Sequence, residues 1–148
     1  MASRTRLAND AWEALLSAHA RLMKQFAAED IWAGLSMREY DVLYTLSKCR
    51  EPLRIGELHR HVLLSQPALS RMVYRLVERG LIERHADRSD GRGVRLSLTD
   101  AGRDMQRRIG RRHARSVARA LTAELTADER GQLAAICWKL AQKETRHR

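Results

Sequence analysis

Apolar side chains recur every three or four residues near the start of the chain, as they do along one face of an amphipathic helix. This pattern predicts a first helix over residues 7–28. Its apolar face consists of Trp12, Leu15, Leu16, His19, Leu22, Met23 and Phe26. A second helix is predicted to begin at Ser36, because Ser36 and Glu39 have the spacing of a capping box. It should end near Cys49, since Pro52 disfavours helix just before it.

Two helices joined by a very short turn are predicted next. The first fits residues 55–62 and the turn includes residues 63–64. Ser65 is a good N-cap and Pro67 lies in the first turn, where its missing N–H costs nothing. The second helix should bury Leu69, Val73, Leu76 and Val77, and expose Gln66, Ser70, Arg71, Tyr74, Arg75 and Glu78. Gly80 is expected to end it.

The pattern changes to a period of two after Gly80, which predicts strands over residues 81–85 and 94–98. The residues between them contain two glycines, two aspartates and two arginines, so we expect a β-hairpin with a long charged tip. Thr99 should cap a helix over residues 100–121. Thr126 and Glu129 form a further capping box for a last helix that reaches about residue 144. The predicted fold class is mostly α (α+β), with about six helices and one hairpin.

The composition agrees with one small domain that binds an anionic partner. The chain has 148 residues, and its 28 basic side chains, 24 of them Arg, exceed its 18 acidic ones, for a formal net charge of +10. Guanidinium groups match phosphates and guanine edges better than ammonium groups do. No apolar stretch is long enough for a signal peptide or a membrane span, so we expect a cytoplasmic protein. Cys49 and Cys137 lack metal-ligand or disulfide spacing and are expected to be free thiols.

The two helices around the short turn have the arrangement of a helix-turn-helix DNA reader. Gln66 can pair with adenine and Arg71 or Arg75 with guanine, while serine hydroxyls and first-turn amides can hold phosphate oxygens. Taken singly, the two arginines would be interpreted as an ordinary solvated helix face; the ordered set favours DNA. The hairpin that follows would act as a wing, with Arg88 or Arg92 reaching a minor groove or the adjacent backbone.

Three segments together resemble the MarR family of winged-helix transcription factors, over essentially the whole chain. They are LSQPALSR from Leu64, LVERGLIER from Leu76 and DGRGVRLSLTDAG from Asp90. The resemblance implies a homodimer in which residues 1–34 and 122–148 are dimerisation helices, residues 36–100 the winged helix-turn-helix and residues 100–121 a linking helix. A two-fold dimer would bind a pseudo-palindromic double-stranded operator.

Residue roles follow from the resemblance by position. It implies that DNA is faced by Ser65, Gln66, Pro67, Ser70, Arg71 and Arg75. Arg92 would be the wing arginine, and Asp90 would orient its guanidinium. Tyr74 stands where the family often has an acidic residue, so it either changes base preference or packs.

Family members commonly bind a small phenolic or anionic effector that releases DNA, and repression is their commoner mode. Candidate residues for such a cleft are Trp12, His19, Arg21, Phe26, Tyr40 and Tyr44, although each can equally be a packing residue. A winged-helix module for protein assembly and a thiol-based redox-sensing regulator remain alternatives. The sequence contains no catalytic set or phosphate loop, so an enzyme, a metal and a cofactor are not expected.

Most of the positive charge lies outside the predicted reader. Residues 101–121 carry seven arginines and one acidic residue. They are Arg103, Arg107, Arg108, Arg111, Arg112, Arg115 and Arg119. This face would attract DNA through a long-range field, or it is a solvated face that pairs with acids on neighbouring helices.

Overall fold

The computed structural model describes residues 2–87, 89 and 93–141. These residues form two compact units that divide between His113 and Ala114. Six helices and three strands lie in the described part of the chain. In chain order they are α1 (Ala2–Ala27), α2 (Met37–Lys48), β1 (Leu53–Arg54), α3 (Ile55–His59), α4 (Gln66–Glu78), β2 (Ile82–Ala86), β3 (Val94–Leu98), α5 (Asp100–Glu124) and α6 (Ala127–Ala141). The predicted fold class, a mostly helical winged helix-turn-helix, is confirmed.

The predicted start of α2 is confirmed in detail. The Ser36 hydroxyl accepts a hydrogen bond from the Glu39 N–H at 3.0 Å, and the Glu39 carboxylate accepts one from the Ser36 N–H at 3.1 Å. Two otherwise unpaired backbone donors are thereby satisfied. The apolar face of α2 packs inward as expected, with Tyr40, Leu43 and Leu46 buried.

Helix α3 is shorter than predicted, and α4 begins where the sequence places it. After His59 the backbone tightens, because the Arg60 and His61 N–H groups bond to carbonyls three residues back. The Ser65 hydroxyl then caps α4 by accepting a hydrogen bond from the Ala68 N–H at 3.3 Å. Gly80 has a φ of +71°, the left-handed conformation expected of the residue that ends a helix.

The wing hairpin is confirmed, and a third strand joins it that the sequence did not predict. The sheet order is β1-β3-β2 with antiparallel pairs, in which Leu53 lies opposite Leu96 and Ile82 opposite Leu98. Strand β1 has only two residues, too few to show an alternating pattern. Strand β2 begins one residue later than predicted, because the Leu81 N–H still bonds to the Leu76 carbonyl at the end of α4.

The core of the first unit is built from one side of each element. Leucine and isoleucine side chains from α2, α3, α4, β2 and α5 are fully buried there. They are Leu43, Leu58, Leu69, Leu76, Ile82 and Ile109. Met72 is also buried, although the apolar face predicted for α4 did not include it. This core fixes α4 on its inner side and leaves its outer side to solvent.

Helices α1 and α6 expose much of their apolar surface. Helix α1 begins at Ala2, earlier than predicted, and of its expected apolar face only Phe26 is buried. In the second unit, the capping box of α6 is confirmed, since the Thr126 N–H donates to the Glu129 carboxylate at 2.8 Å. Its large exposed side chains are Leu133, Ile136, Trp138 and Leu140. The predicted end of this helix near residue 144 lies outside the described residues.

No helix within the described residues is both long and apolar enough to cross a membrane.

Candidate nucleic-acid interface

Helix α4 presents a polar face that the core holds outward. Leu69, Val73 and Leu76 are buried on the inner side. Every reader residue predicted on the outer side and at the N-terminus is exposed. They are Ser65, Gln66, Pro67, Ser70, Arg71, Tyr74 and Arg75. The structure therefore brings these seven residues together on one exposed surface, with hydrogen-bond donors and acceptors suited to base edges and phosphates.

Arg84 extends this surface onto the wing, and the sequence reasoning missed it. Its guanidinium carbon lies 6.0 Å from the centre of the Tyr74 ring, within range of a cation–π interaction. Arg84 stands two residues after the buried Ile82 in β2, on the strand face that packs towards α4. Tyr74 is thus a partner for a wing cation as well as an exposed ring on the reader.

Four polar residues tie the base of the wing to β1; we call Arg54, Asp87, Ser89 and Arg95 the wing-base cluster. Asp87 is at its centre, with a side chain only 2% exposed. Its carboxylate accepts hydrogen bonds from the Arg54 Nε at 2.6 Å and the Ser89 hydroxyl at 2.7 Å, and lies 3.3 Å from the Arg95 Nε. Arg95 also donates to the Pro52 carbonyl at 3.1 Å. The cluster therefore fixes where the wing leaves the sheet.

Hydrogen bonds from the Ser89 side chain and backbone, followed by those from Arg54 and Arg95, hold the pKa of Asp87 well below its usual range despite the opposing effect of burial. The predicted wing residues Arg88, Asp90 and Arg92 lie outside the described residues. The Asp-x-Ser spacing is a local signal for a turn at Asp87. No local signal links Asp87 to Arg54, which is 33 residues away.

The lowered pKa of Asp87 predicts an acid-dependent loss of stability. A carboxyl group whose pKa is lower when folded stabilises the fold above its unfolded pKa, about 3.9, and loses that contribution as the pH falls towards the folded value. We expect the wild-type protein to lose more unfolding free energy than the Asp87→Asn variant between pH 5 and strong acid, at about pH 2. Urea unfolding across this range measures the difference; parallel curves for the two proteins would contradict the assignment.

A cavity of about 510 Å³ lies in the first unit, between α1, α2 and the segment that joins α3 to α4. Its lining residues are His19, Met23, Arg38, Asp41, Tyr44, Thr45, Lys48, Cys49, His61, Val62, Leu63 and Leu64. Of the candidate effector residues, His19 and Tyr44 line this cavity. Trp12 and Arg21 are exposed on α1 and are not among its lining residues. A cavity of this volume is large enough for a small-molecule ligand.

The other two candidates, Phe26 and Tyr40, lie in a buried aromatic cluster with Trp32 and His113. The His113 ring centre is 5.3 Å from that of Phe26, 5.1 Å from that of Trp32 and 5.8 Å from that of Tyr40. Burial lowers the pKa of His113, partly opposed by the Glu29 carboxylate, and burial raises the pKa of Tyr40. Tyr40 nevertheless stacks on Tyr44, with ring centres 6.0 Å apart, and so backs the cavity wall.

Cations outnumber anions around the cavity, a feature that the sequence did not reveal. Arg38 and Lys48 line it together with a single carboxylate, Asp41, whose pKa is raised by burial and lowered by Arg38. The Lys48 ammonium lies 4.2 Å from the centre of the Tyr44 ring. Arg38 also donates a hydrogen bond of 2.8 Å to the Leu63 carbonyl, in the turn of the helix-turn-helix.

The short α3–α4 turn, the exposed polar face of α4 and the hairpin wing define a winged helix-turn-helix DNA-binding protein. A model of the MarR family matches residues 35–94. A probable transcriptional regulator from Pseudomonas aeruginosa has a similar structure, with 31% identity, a TM-score of 0.71 and coverage of 86% of this chain and 93% of the other. The chain belongs to the MarR family, whose members are transcriptional regulators that bind DNA.

Two further similar structures hold ligands of different kinds. Sco3205, a MarR family regulator from Streptomyces coelicolor solved with DNA, is 28% identical, with a TM-score of 0.77 over 90% of this chain and 85% of the other. PcaV, a transcriptional regulator from the same organism solved with its natural ligand, is 29% identical, with a TM-score of 0.66 over 90% and 91% of the two chains. No curated protein sequence matches the chain significantly.

Proposed function

We propose that this regulator is a homodimeric repressor that binds a pseudo-palindromic duplex operator through α4 and the wing, and that a small anionic or phenolic effector releases it. The exposed face of α4 carries the proposal, because it combines base-pairing side chains with a rigid buried support. The DNA complex of the similar regulator Sco3205 supports the same kind of partner.

In this proposal, each part of the interface has its own task. Gln66, Arg71 and Arg75 pair with base edges in the major groove, and Ser65, Pro67 and Ser70 lie against the phosphate backbone at the start of α4. Tyr74 positions Arg84 beside them. The wing arginines at 88 and 92, with Asp90 as the orienting partner of Arg92, contact the minor groove or its flanking phosphates.

The proposed dimer rests on the unburied apolar surfaces of α1 and α6. Trp12 is 56% exposed and Trp138 is 64% exposed, and a second copy of the chain would remove both from water. We assign residues 1–34 and 122–148 to dimerisation, residues 36–100 to DNA reading and residues 100–121 to the link between them. Light scattering at micromolar concentration should give the dimer mass; a monomer at physiological salt would contradict this assignment.

The proposed effector site is the cavity beside α2. Its two cations favour a carboxylate or phenolate, and the Tyr44 ring offers an aromatic surface for the rest of the ligand. Arg38 connects this site to the reader, because it holds the turn that precedes Ser65 through the Leu63 carbonyl. An anion that draws the Arg38 guanidinium away from Leu63 would therefore favour a different placement of α4 and lower the affinity for DNA.

Replacing Arg38 by methionine tests this connection. We expect Arg38→Met to weaken binding of a simple aromatic carboxylate such as benzoate or salicylate by about tenfold, since a charge-assisted hydrogen bond contributes about 1.5–3 kcal/mol. The variant should also release less DNA at a given ligand concentration. Lys24→Met, on an exposed part of α1, is the matched control. Calorimetry and mobility shift measure the two effects; equal ligand responses in both variants would exclude Arg38 as the coupling residue.

Selection of bound duplexes from random DNA tests the proposed function directly. We expect enrichment of a palindrome whose half-site centres are about one helical turn, ~34 Å, apart. Affinity for that palindrome should exceed affinity for random DNA by about 10³-fold or more at physiological salt. If no palindrome is enriched, the chain does not act as a sequence-specific dimeric regulator, and a protein-assembly role becomes the better explanation.

A further inference from the structure

Helix α5 carries a dense row of arginines that the reader described above does not use. Between residues 101 and 113, all within the first unit, there are five arginines and one aspartate. All five guanidinium-bearing residues are exposed, whereas Gly102 and Ile109 are buried on the opposite side of the helix. A strongly positive half-cylinder therefore faces solvent.

Little within the described part of the chain neutralises this charge. Arg103 and Arg111 make no hydrogen bond or ion pair with any described residue. Arg107 lies 3.9 Å from Asp104, but both side chains are well exposed, at 61% and 81%. Such an exposed pair contributes little and is screened by salt. Arg108 is exposed as well and donates only to the Met105 sulfur.

The composition of this face distinguishes between two kinds of anionic partner. The core of a protein–protein interface needs apolar or aromatic anchors. The outward positions of α5 between residues 101 and 113 offer Ala101, Asp104 and arginines. A surface of closely spaced guanidinium groups without apolar anchors suits a polyelectrolyte, because it gains affinity by displacing counterions from phosphates. Duplex DNA is the polyelectrolyte that this family binds.

The position of α5 agrees with such a contact. The helix begins beside the C-terminal end of α4, where the Thr99 hydroxyl donates to the Gly80 carbonyl at 2.6 Å. Arg103, Arg107 and Arg111 then follow at intervals of four residues, which puts successive side chains about 6 Å apart along the helix. Duplex DNA carries a phosphate every ~3.4 Å of rise on each strand, so each arginine has a phosphate within reach of its long side chain.

We propose that the outer face of α5, formed by Arg103, Arg107, Arg108 and Arg111, is a second DNA-contacting surface that binds the phosphate backbone without reading sequence. It rests on the proposed function for its partner, duplex DNA. Attraction and recognition are then divided between two helices: α5 supplies salt-dependent affinity for any duplex, and α4 supplies the preference among duplexes.

The test compares the triple variant Arg103→Gln, Arg107→Gln, Arg111→Gln with a charge-matched control, Arg4→Gln, Arg6→Gln, Lys24→Gln, on exposed positions of α1. Glutamine keeps the helix propensity nearly unchanged. Dissociation constants are measured across salt concentrations for the selected palindrome and for a random-sequence duplex. We expect the α5 variant to lose on the order of tenfold or more on both duplexes, and its slope of log K against log salt to fall by about 2 to 3.

The control should keep the wild-type slope. If the α5 variant retains the wild-type or control slope, the arginine face does not contact phosphates and serves another acidic partner; the proposal is then wrong. A much larger loss on the palindrome than on random DNA would also overturn it. The single variant Arg107→Gln, with an expected slope change of about 0.9, decides the matter if the triple variant does not fold. Failure to prefer any palindrome refutes the proposed function, while the slope comparison on random DNA still stands.

Discussion

Replacing Gly102 by alanine should lower the free energy of unfolding by about 3 kcal/mol or more, at the upper end of overpacking effects. A Cβ atom at this position would lie 1.9 Å from the Leu81 carbonyl oxygen and 2.9 Å from its carbon. Both are backbone atoms, so no flexible side chain can move aside. The first turn of α5 therefore has to shift away from the end of α4, or the chain between them has to distort.

The backbone around Leu81 has little freedom to give way. The Leu81 N–H bonds to the Leu76 carbonyl at 3.0 Å, and the Leu81 carbonyl accepts from the Thr99 N–H at 3.2 Å. Displacement of Leu81 would weaken both the end of α4 and the start of α5. We therefore expect Gly102→Ala to impair DNA binding as well as stability.

The matched control is Gly56→Ala in α3, where an added Cβ meets no described atom within 4 Å. Because glycine in a helix costs about 0.5–1 kcal/mol relative to alanine, this variant should be neutral or slightly more stable. Urea unfolding at one protein concentration compares the two. Equal stability of the two variants would show that the contact at Gly102 is relieved by a small movement, contrary to the prediction.

The parts of the fold that the sequence predicts best are those set by neighbouring residues. Ser36 with Glu39, and Ser65 with Pro67, fix the starts of α2 and α4 through hydrogen bonds and backbone angles within one turn. Gly80 ends α4 for an equally local reason. In contrast, β1 exists because Leu53 meets Leu96, a contact between residues 43 positions apart that leaves no local pattern.

The same distinction applies to the candidate sites. The reader residues share one helix face, so their spacing predicts which of them point outward. The wing-base cluster and the cavity depend on residues from separate elements, such as Arg54 with Asp87 and Arg38 with Leu63. Aromatic residues of α1 and α2 look alike in sequence, yet Tyr44 lines the cavity while Phe26 packs against His113. Only the tertiary packing separates these two roles.

Removing the two arginines of the reader should abolish sequence preference while leaving the fold intact. Arg71 and Arg75 are exposed on α4, so Arg71→Gln, Arg75→Gln should unfold at nearly the wild-type urea concentration. Each guanidinium that pairs with a base edge is worth about 1–3 kcal/mol of discrimination. We therefore expect a loss of about 10²-fold or more in affinity for the selected palindrome and a much smaller loss for random DNA.

The double variant Arg4→Gln, Arg6→Gln removes the same charge from α1 and should lower both affinities only slightly. Competition binding between palindrome and random duplex gives the ratio that matters. If α4 reads bases, that ratio falls towards one in the reader variant and stays at its wild-type value in the control. If Arg71 and Arg75 contact only phosphates, both affinities fall together and the ratio is preserved, as we expect for the α5 arginines. The two helices are therefore distinguished by a ratio of affinities, which does not depend on how strongly either one attracts DNA.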